Sequence, residues 1–319
     1  MKTSMSITIK LMILVLIALG FAATLIALSV NKNPIVEEGD DEWGDSKRIE
    51  RTFSVQPDGK LVLDTDEGNV TMIGSDSNEL RVVVLASGSS DRLKKFKLDF
   101  HQDDNTVNVI GRRKAKFRFF DIHYFDIRFE IQLPKHFNIE LQTAGGNIVA
   151  RNVEGNFHGK TSGGEVDLEE LDGEIDVTTS GGNIQIRHSK GTFTLYTSGG
   201  DIVGKSVVGP MNVETSGGNI LLSETDGQIT ASTSGGNIKV EANDNKGIDL
   251  STSGGNIRIT LPKSISANVD AKAFGGEVSC EFELAGTIKE GKMKGKINGG
   301  GNPIKAETSG GNIALNVVE

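Results

Sequence analysis

Apolar residues in this chain recur in pairs two positions apart, and the pairs recur at a near-constant interval. Ile139/Leu141, Ile175/Val177, Phe193/Leu195, Met211/Val213, Ile229/Ala231, Ile248/Leu250 and Val269/Ala271 each stand six and four residues before a Gly-Gly pair. Val166/Leu168, Ile184/Ile186, Ile220/Leu222, Ile238/Val240 and Ile257/Ile259 stand three and five residues after one. A period of two predicts a strand with one buried face. The glycine pairs between the strands are Gly145/Gly146, Gly163/Gly164, Gly181/Gly182, Gly199/Gly200, Gly217/Gly218, Gly235/Gly236, Gly254/Gly255, Gly275/Gly276 and Gly310/Gly311. Most belong to Thr-Ser-Gly-Gly, with variants at Thr143 and Ala273, and the spacing is 18 five times, then 19, 21 and 35. A further glycine at 155, 173, 191, 209 and 227 marks the opposite side of each unit.

A unit of strand, corner, strand, corner cannot bury its apolar face alone. Stacking units about 4.8 Å apart gives a continuous core and pairs every backbone group with the coil above and below. The expected fold is therefore all-β: a single-chain β-solenoid of roughly 18-residue coils with Gly-Gly corners. About nine coils at that spacing make a rod of about 40–45 Å. Glycine is expected at the corners for positive φ and for close stacking. Asn147, Asn183, Asn219, Asn237, Asn256 and Asn312 predict an amide ladder, and the corner threonines predict a second one. Outward residues such as Arg151, Glu169, Arg187 and Lys205 predict lateral charge pairs.

An earlier copy of the coil lies at Leu61, Leu63, Thr65, Gly68, Asn69, Val70 and Met72, with Glu67 in place of the first glycine. Residues 75–135 then leave the repeat as a β-hairpin insertion of longer alternating strands. A Gly-rich excursion over 277–303 precedes the last Thr-Ser-Gly-Gly, which is expected to cap the stack.

The N-terminus has another character. Residues 1–10 carry Lys2 and Lys10, and residues 11–30 carry no charge, enough for one transmembrane helix. An acidic stretch follows, so the positive-inside bias predicts a cytoplasmic 1–10, a signal anchor at 11–30, an acidic linker at 31–47 and an extracytoplasmic 48–319. The expected location is the cell membrane, single-pass, with the body in the periplasm or at the cell surface. The alternative is a cleaved signal peptide ending near Ala27-Leu28-Ser29, although the apolar run is long for one.

Composition narrows the chemistry. Forty glycines against six prolines suit regular tight turns, and 34 basic against 43 acidic residues give a net charge of −9. Such a balance gives no reason to expect nucleic acid as a partner. Cys280 is the only cysteine, which excludes an intrachain disulfide. The five histidines (101, 123, 136, 158, 188) lack metal-ligand spacing, and the acidic run Asp167–Asp176 lacks a calcium-loop pattern. No nucleophile elbow or phosphate-binding glycine motif occurs. No catalytic residue, cofactor or metal is expected. The one locally distinctive segment follows β-patterned sequence at Arg112, Arg113, Lys114, Lys116, Phe117, Phe119 and Phe120. It reads as a contact for a protein or glycan ligand, or as a hairpin that closes the core and uses cations to block strand addition.

Together these features resemble the bacterial "putative adhesin" family of unknown function. The resemblance covers about 48–319 and rests on the Leu61–Met72 coil, Leu133-Pro134-Lys135, the stacked TSGG(N/D)I coils and Gly299–Ile304 before the last TSGGNI. It implies a β-solenoid similar to the head domains of autotransporter adhesins, a surface location, and no catalytic residues. A non-enzymatic, membrane-anchored adhesin or scaffold is the leading expectation. The alternatives are an accessory of an envelope-stress signalling system and a polysaccharide-active β-helix enzyme.

Overall fold

In the computed structural model, which describes residues 36–43, 46–89, 93–114 and 125–318, one coil shows how the sequence sets the backbone. Strand β15 (Met211–Thr215) buries Met211, Val213 and Thr215, and β16 (Ile220–Thr225) buries Ile220, Leu222 and Thr225. Ser216 to Asn219 turn the corner between them. Residues 226–228 then lead into β17 (Ile229–Thr233), which lies parallel to β15 with Met211 beside Ile229. The alternation of apolar and polar residues thus fixes which face of each strand meets the core.

The same operation repeats along the chain. On one flank run β9 (Phe137–Thr143), β11 (Phe157–Thr161), the second halves of β12 (Val166–Thr179) and β13 (Ile184–Thr197), β15, β17 and β19 (Ile248–Thr252). On the other run β10 (Ile148–Glu154), the first halves of β12 and β13, β14 (Ile202–Val208), β16, β18 (Ile238–Ala242) and β20 (Ile257–Leu261). Register offsets of 18 or 19 residues put Ile148, Val166, Ile184, Ile202, Ile220, Ile238 and Ile257 in one buried column. Burying each such side chain contributes about 1.5–3 kcal/mol before conformational entropy is counted. Ile35–Glu319 form one compact unit, and it contains the whole described core.

The last repeat does not cap this stack. After β20 the chain forms β21 (Ala267–Ala273) and β22 (Val278–Cys280), then the hairpin β23 (Leu284–Lys289) and β24 (Lys292–Ile297). It returns through Asn298, Gly299 and Gly300, all at positive φ, to β25 (Asn302–Thr308) and β26 (Ile313–Val317). Ile304 of β25 lies beside Ile248 of β19 on one side and Val269 of β21 on the other. Ile313 of β26 likewise lies between Ile257 and Val278. The final coil is therefore inserted beneath the one that precedes it in sequence. The Ala273-Phe274-Gly275-Gly276 coil and the hairpin form the end.

The other end is built similarly. The first coil, β3 (Gly59–Thr65) and β4 (Asn69–Ser75), pairs with β9 and β10 on one side. On its other side lie β7 (Thr106–Arg113) and β8 (Phe125–Pro134), so the insertion supplies a further parallel layer as well as hairpins. β6 (Phe96–Asp103) runs antiparallel to β7, and β5 (Glu79–Gly88) antiparallel to β8. β2 (Ser46–Ser54) and then β1 (Val36–Trp43) extend that sheet antiparallel. Part of the stretch expected as a linker is thus strand β1. The expected anchor at 11–30 lies outside the described residues, and no helix among those described is long and apolar enough to cross a membrane.

Candidate functional site: corners, flanks and ends

The corners are committed to their neighbours. Thr197 Oγ1 donates to the Gly182 carbonyl of the preceding coil at 2.8 Å and accepts from Gly200 N at 3.3 Å. The same pair of bonds recurs at Thr161, Thr179, Thr215, Thr233, Thr252 and Thr308. The threonines therefore ladder through glycine backbone and not through one another. An Asn column does form: Asn237 N donates to Asn219 Oδ1 at 2.9 Å, and Asn237 Nδ2 reaches the same oxygen at 3.1 Å.

Close approach explains the second glycine of each pair. A Cβ on Gly200 would stand 2.0 Å from the Gly182 carbonyl oxygen, whereas one on Gly199 would first meet Ser180 O at 3.7 Å. The clash recurs at every Gly-Gly pair: a Cβ on Gly146, Gly164, Gly182, Gly218, Gly236, Gly255, Gly276 or Gly311 would come within 2.3 Å of the carbonyl oxygen of a stacked glycine, while Gly68 of the first coil is crowded by the Phe129 ring instead. On the first glycines Gly145, Gly163, Gly181, Gly217, Gly235, Gly254 and Gly310 it would meet nothing nearer than 3.4 Å. Gly275, in the end coil, is tighter, at 2.8 Å from Ser309 O. That asymmetry accounts for Glu67 in the first coil, where it fills the tolerant position.

The positive φ expected at these pairs is a correction. Gly146, Gly164, Gly218, Gly236, Gly255 and Gly311, like Gly182 and Gly200, are buried, and neither they nor the first glycines take positive φ. Positive φ lies instead at the opposite corner, as at Gly191 (φ 132°), and at an outward bend through Asn152, Glu170, His188, Ser206 and Glu224. The Gly-Gly corners need room for a neighbouring carbonyl, not a left-handed backbone. Covered by the adjoining coil, the second glycines also offer a ligand no surface.

The flanks carry lateral charge pairs. Arg187 Nη2 lies 2.9 Å from Asp167 and 3.5 Å from Glu169, and Arg151 Nε lies 3.5 Å from Glu169. Lys190 pairs with Asp172 at 2.9 Å, and Lys135 with Glu154 at 2.6 Å. The Lys135 ammonium holds the Glu154 carboxyl below its ordinary range, and Asp172 raises the Lys190 ammonium. The acidic run is drawn into this lattice, with His158 Nδ1 3.9 Å from Asp176. Among the described residues no three His, Cys, Asp or Glu side chains gather as a metal site. His123 lies outside the described residues.

Of the segment singled out by sequence, Arg112 pairs with Asp64 and lies 3.7 Å from Asp66, and Arg113 pairs with Glu67. The Asp64 carboxylate raises the Arg112 guanidinium above its ordinary value. Lys114 N donates to Lys95 O at 2.9 Å. Lys116, Phe117, Phe119 and Phe120 lie outside the described residues.

The other end holds a cationic face that the repeat pattern did not mark. Lys292, Lys294 and Lys296 alternate along β24, which hydrogen-bonds β21 on one side and β23 on the other. Register sets Lys272, Lys292 and Lys289 side by side in one row. In the next, Lys305, Asp270, Lys294 and Thr287 stand side by side. None of these lysines has a carboxylate partner among the described residues. A shallow open depression of about 620 Å³ adjoins them, lined in part by Asp249, Asp270, Lys272, Lys305 and Glu307.

A family model described as Toastrack DUF4097 matches residues 59–316. No curated protein matches the chain. Among solved structures, the chain is similar to a putative adhesin from Bacteroides fragilis, at 17% identity, 84% coverage of this chain and 97% of that one, with a TM-score of 0.42. A putative lipid binding protein from Parabacteroides distasonis is 14% identical, covering 85% and 97%, with a TM-score of 0.44. A putative adhesin from Parabacteroides merdae is 13% identical, covering 88% and 100%, with a TM-score of 0.41.

Proposed function

Because this chain belongs to the Toastrack DUF4097 family, we propose that it is a non-enzymatic rod of the bacterial envelope, an adhesin-like scaffold tethered by residues 11–30. The observation that carries this reading is the use made of the repeat. Corner threonines, glycines and asparagines bond to the coil below, and many flank carboxylates bond to a neighbouring cation. Groups engaged in this way hold a stack together and are not poised to receive a substrate. What such a stack provides is length. The uncharged 11–30 segment followed by acidic residues supports outward orientation of the body.

Protease added to intact cells or protoplasts expressing the full chain tests this. Digestion of the body, with a small N-terminal fragment left in the membrane fraction, is expected. Full-length protein in the cytosolic fraction, untouched by protease, contradicts it.

A further inference from the structure

We propose that the hairpin end of the rod is a docking surface for a linear polyanion of the envelope, a polymer with an anionic group in each repeat. The inference builds on the envelope reading above. Its basis is a rule kept along the flanks and broken here. Between Lys135 and Glu224, like charges do stand side by side at Glu154/Asp172 and Arg187/Lys205, but each of the four pairs with an opposite charge nearby: Lys135, Lys190, Asp167 and Glu224 in turn. At the end, Lys272, Lys292 and Lys289 stand directly beside one another, an arrangement that is destabilising in a sheet. β23 and β24 together hold four lysines and no carboxylate, the one acid of the hairpin being Glu290 in its turn, within a chain whose net charge is −9.

Edge protection does not explain the pattern. Lysines that block strand addition belong on the outermost strand. Here the outermost strand is β23, which carries only Lys289 among Leu284, Ala285, Gly286, Thr287 and Ile288. Three of the lysines lie on β24, already bonded on both sides. Extended geometry spaces alternate residues about 6.8 Å apart and neighbouring strands about 4.8 Å apart. The result is a regular grid of ammonium groups suited to an extended chain of repeating charges. Toward β19 the face turns acidic at Asp270 on β21 and then at Glu307 and Asp249, which limits the footprint to the hairpin and Lys272 at the edge of β21. The lysines recur at fixed intervals along β24 and across to β23, which suits one continuous chain of charges better than separate lipid headgroups.

The test uses the Ile35–Glu319 unit and two probes: labelled long-chain inorganic polyphosphate, and phosphatidylglycerol vesicles. Polyphosphate binding is expected, weakening steeply with salt. Replacing Lys289, Lys292, Lys294 and Lys296 together by Gln is expected to reduce affinity about thirtyfold or more at about 0.1 M salt, and to make the log–log salt slope shallower by about 3. All four are exposed, so an unchanged or raised Tm is expected and keeps a loss of binding interpretable. Replacing Lys94, Lys95 and Lys97 at the other end by Gln is expected to leave binding intact. The proposal is overturned if polyphosphate does not bind, or if the hairpin variant binds as tightly as the wild type. It is equally overturned if only the Lys94/Lys95/Lys97 variant loses binding, or if vesicles bind and the polymer does not. None of these results bears on whether the protein is exported, which the protease experiment decides separately.

Discussion

The middle of the stack and its hairpin end are made of the same strands, and they treat charge and glycine differently. In the middle, an inward residue meets its counterpart 18 or 19 positions on, a corner threonine meets a glycine carbonyl, and Arg187 meets Asp167. At the end, the chain leaves the repeat, slides its last coil beneath the previous one and exposes on one hairpin four lysines that have no carboxylate partner among the described residues. A periodic sequence is suited to length, since each coil presents the same groups as the next. A distinctive surface has to come from where the period stops.

The sharpest contrast within the middle is between the two glycines of one corner. Gly200→Ala places a methyl group against the Gly182 carbonyl oxygen and is expected to destabilise by about 3 kcal/mol or more, whereas Gly199→Ala is expected to stay within about 0.5 kcal/mol. Equilibrium denaturation of both variants checks this, and equal effects would count against the stacking explanation. Thr197→Val removes the acceptor for Gly200 N and the donor to Gly182 O, with an expected loss of about 1–2 kcal/mol by the same measurement.

At the β1 end, Glu50 is buried and pairs with Arg81 and Arg48, which hold its carboxyl below the ordinary range. A carboxylate depressed in the folded state stabilises above its unfolded pKa of about 4.3, and that contribution is lost as pH falls through the lower folded value. Glu50→Gln is therefore expected to lower Tm at pH 7 and to flatten the acid limb of the stability profile. A constant difference from wild type across pH would argue against the pairing. Arg187→Gln, on a solvated flank, is expected to cost about 0.5 kcal/mol or less, and the cost should shrink with added salt.

Much of the middle was legible in the sequence because two periods coincide there. Alternation assigns Ile184 and Ile186 to the core, and the 18-residue spacing places them beside Val166 and Leu168. Even the degenerate first coil was readable, since Leu61, Leu63, Val70 and Met72 keep the pattern. The reason for the glycine pairs was only half legible: spacing marks Gly164 and Gly218 as corners, but the carbonyl that crowds each belongs to another coil. The order of stacking at the end was not legible. Ile304 and Ile313 fit equally well beside β19/β20 or beyond β21/β22, because every coil offers the same apolar columns. The lysine face stayed hidden for a related reason: Lys272, Lys289, Lys292, Lys294, Lys296 and Lys305 are spread over four strands and converge only through register. The alternating Lys-Met-Lys-Gly-Lys run was the visible signal. The contiguous cations at Arg112 and Arg113 drew attention instead, yet both are paired with carboxylates of the first coil.

Removing one whole coil separates the two roles most directly. Deleting Phe193–Pro210 joins Thr192 to Met211 in register and leaves both ends intact. The shortened Ile35–Glu319 unit should remain a cooperative β fold, shorter by about 4.8 Å, and bind polyphosphate with the affinity of the full-length unit. A folded deletion variant that no longer binds would contradict the assignment of length to the middle and recognition to the end.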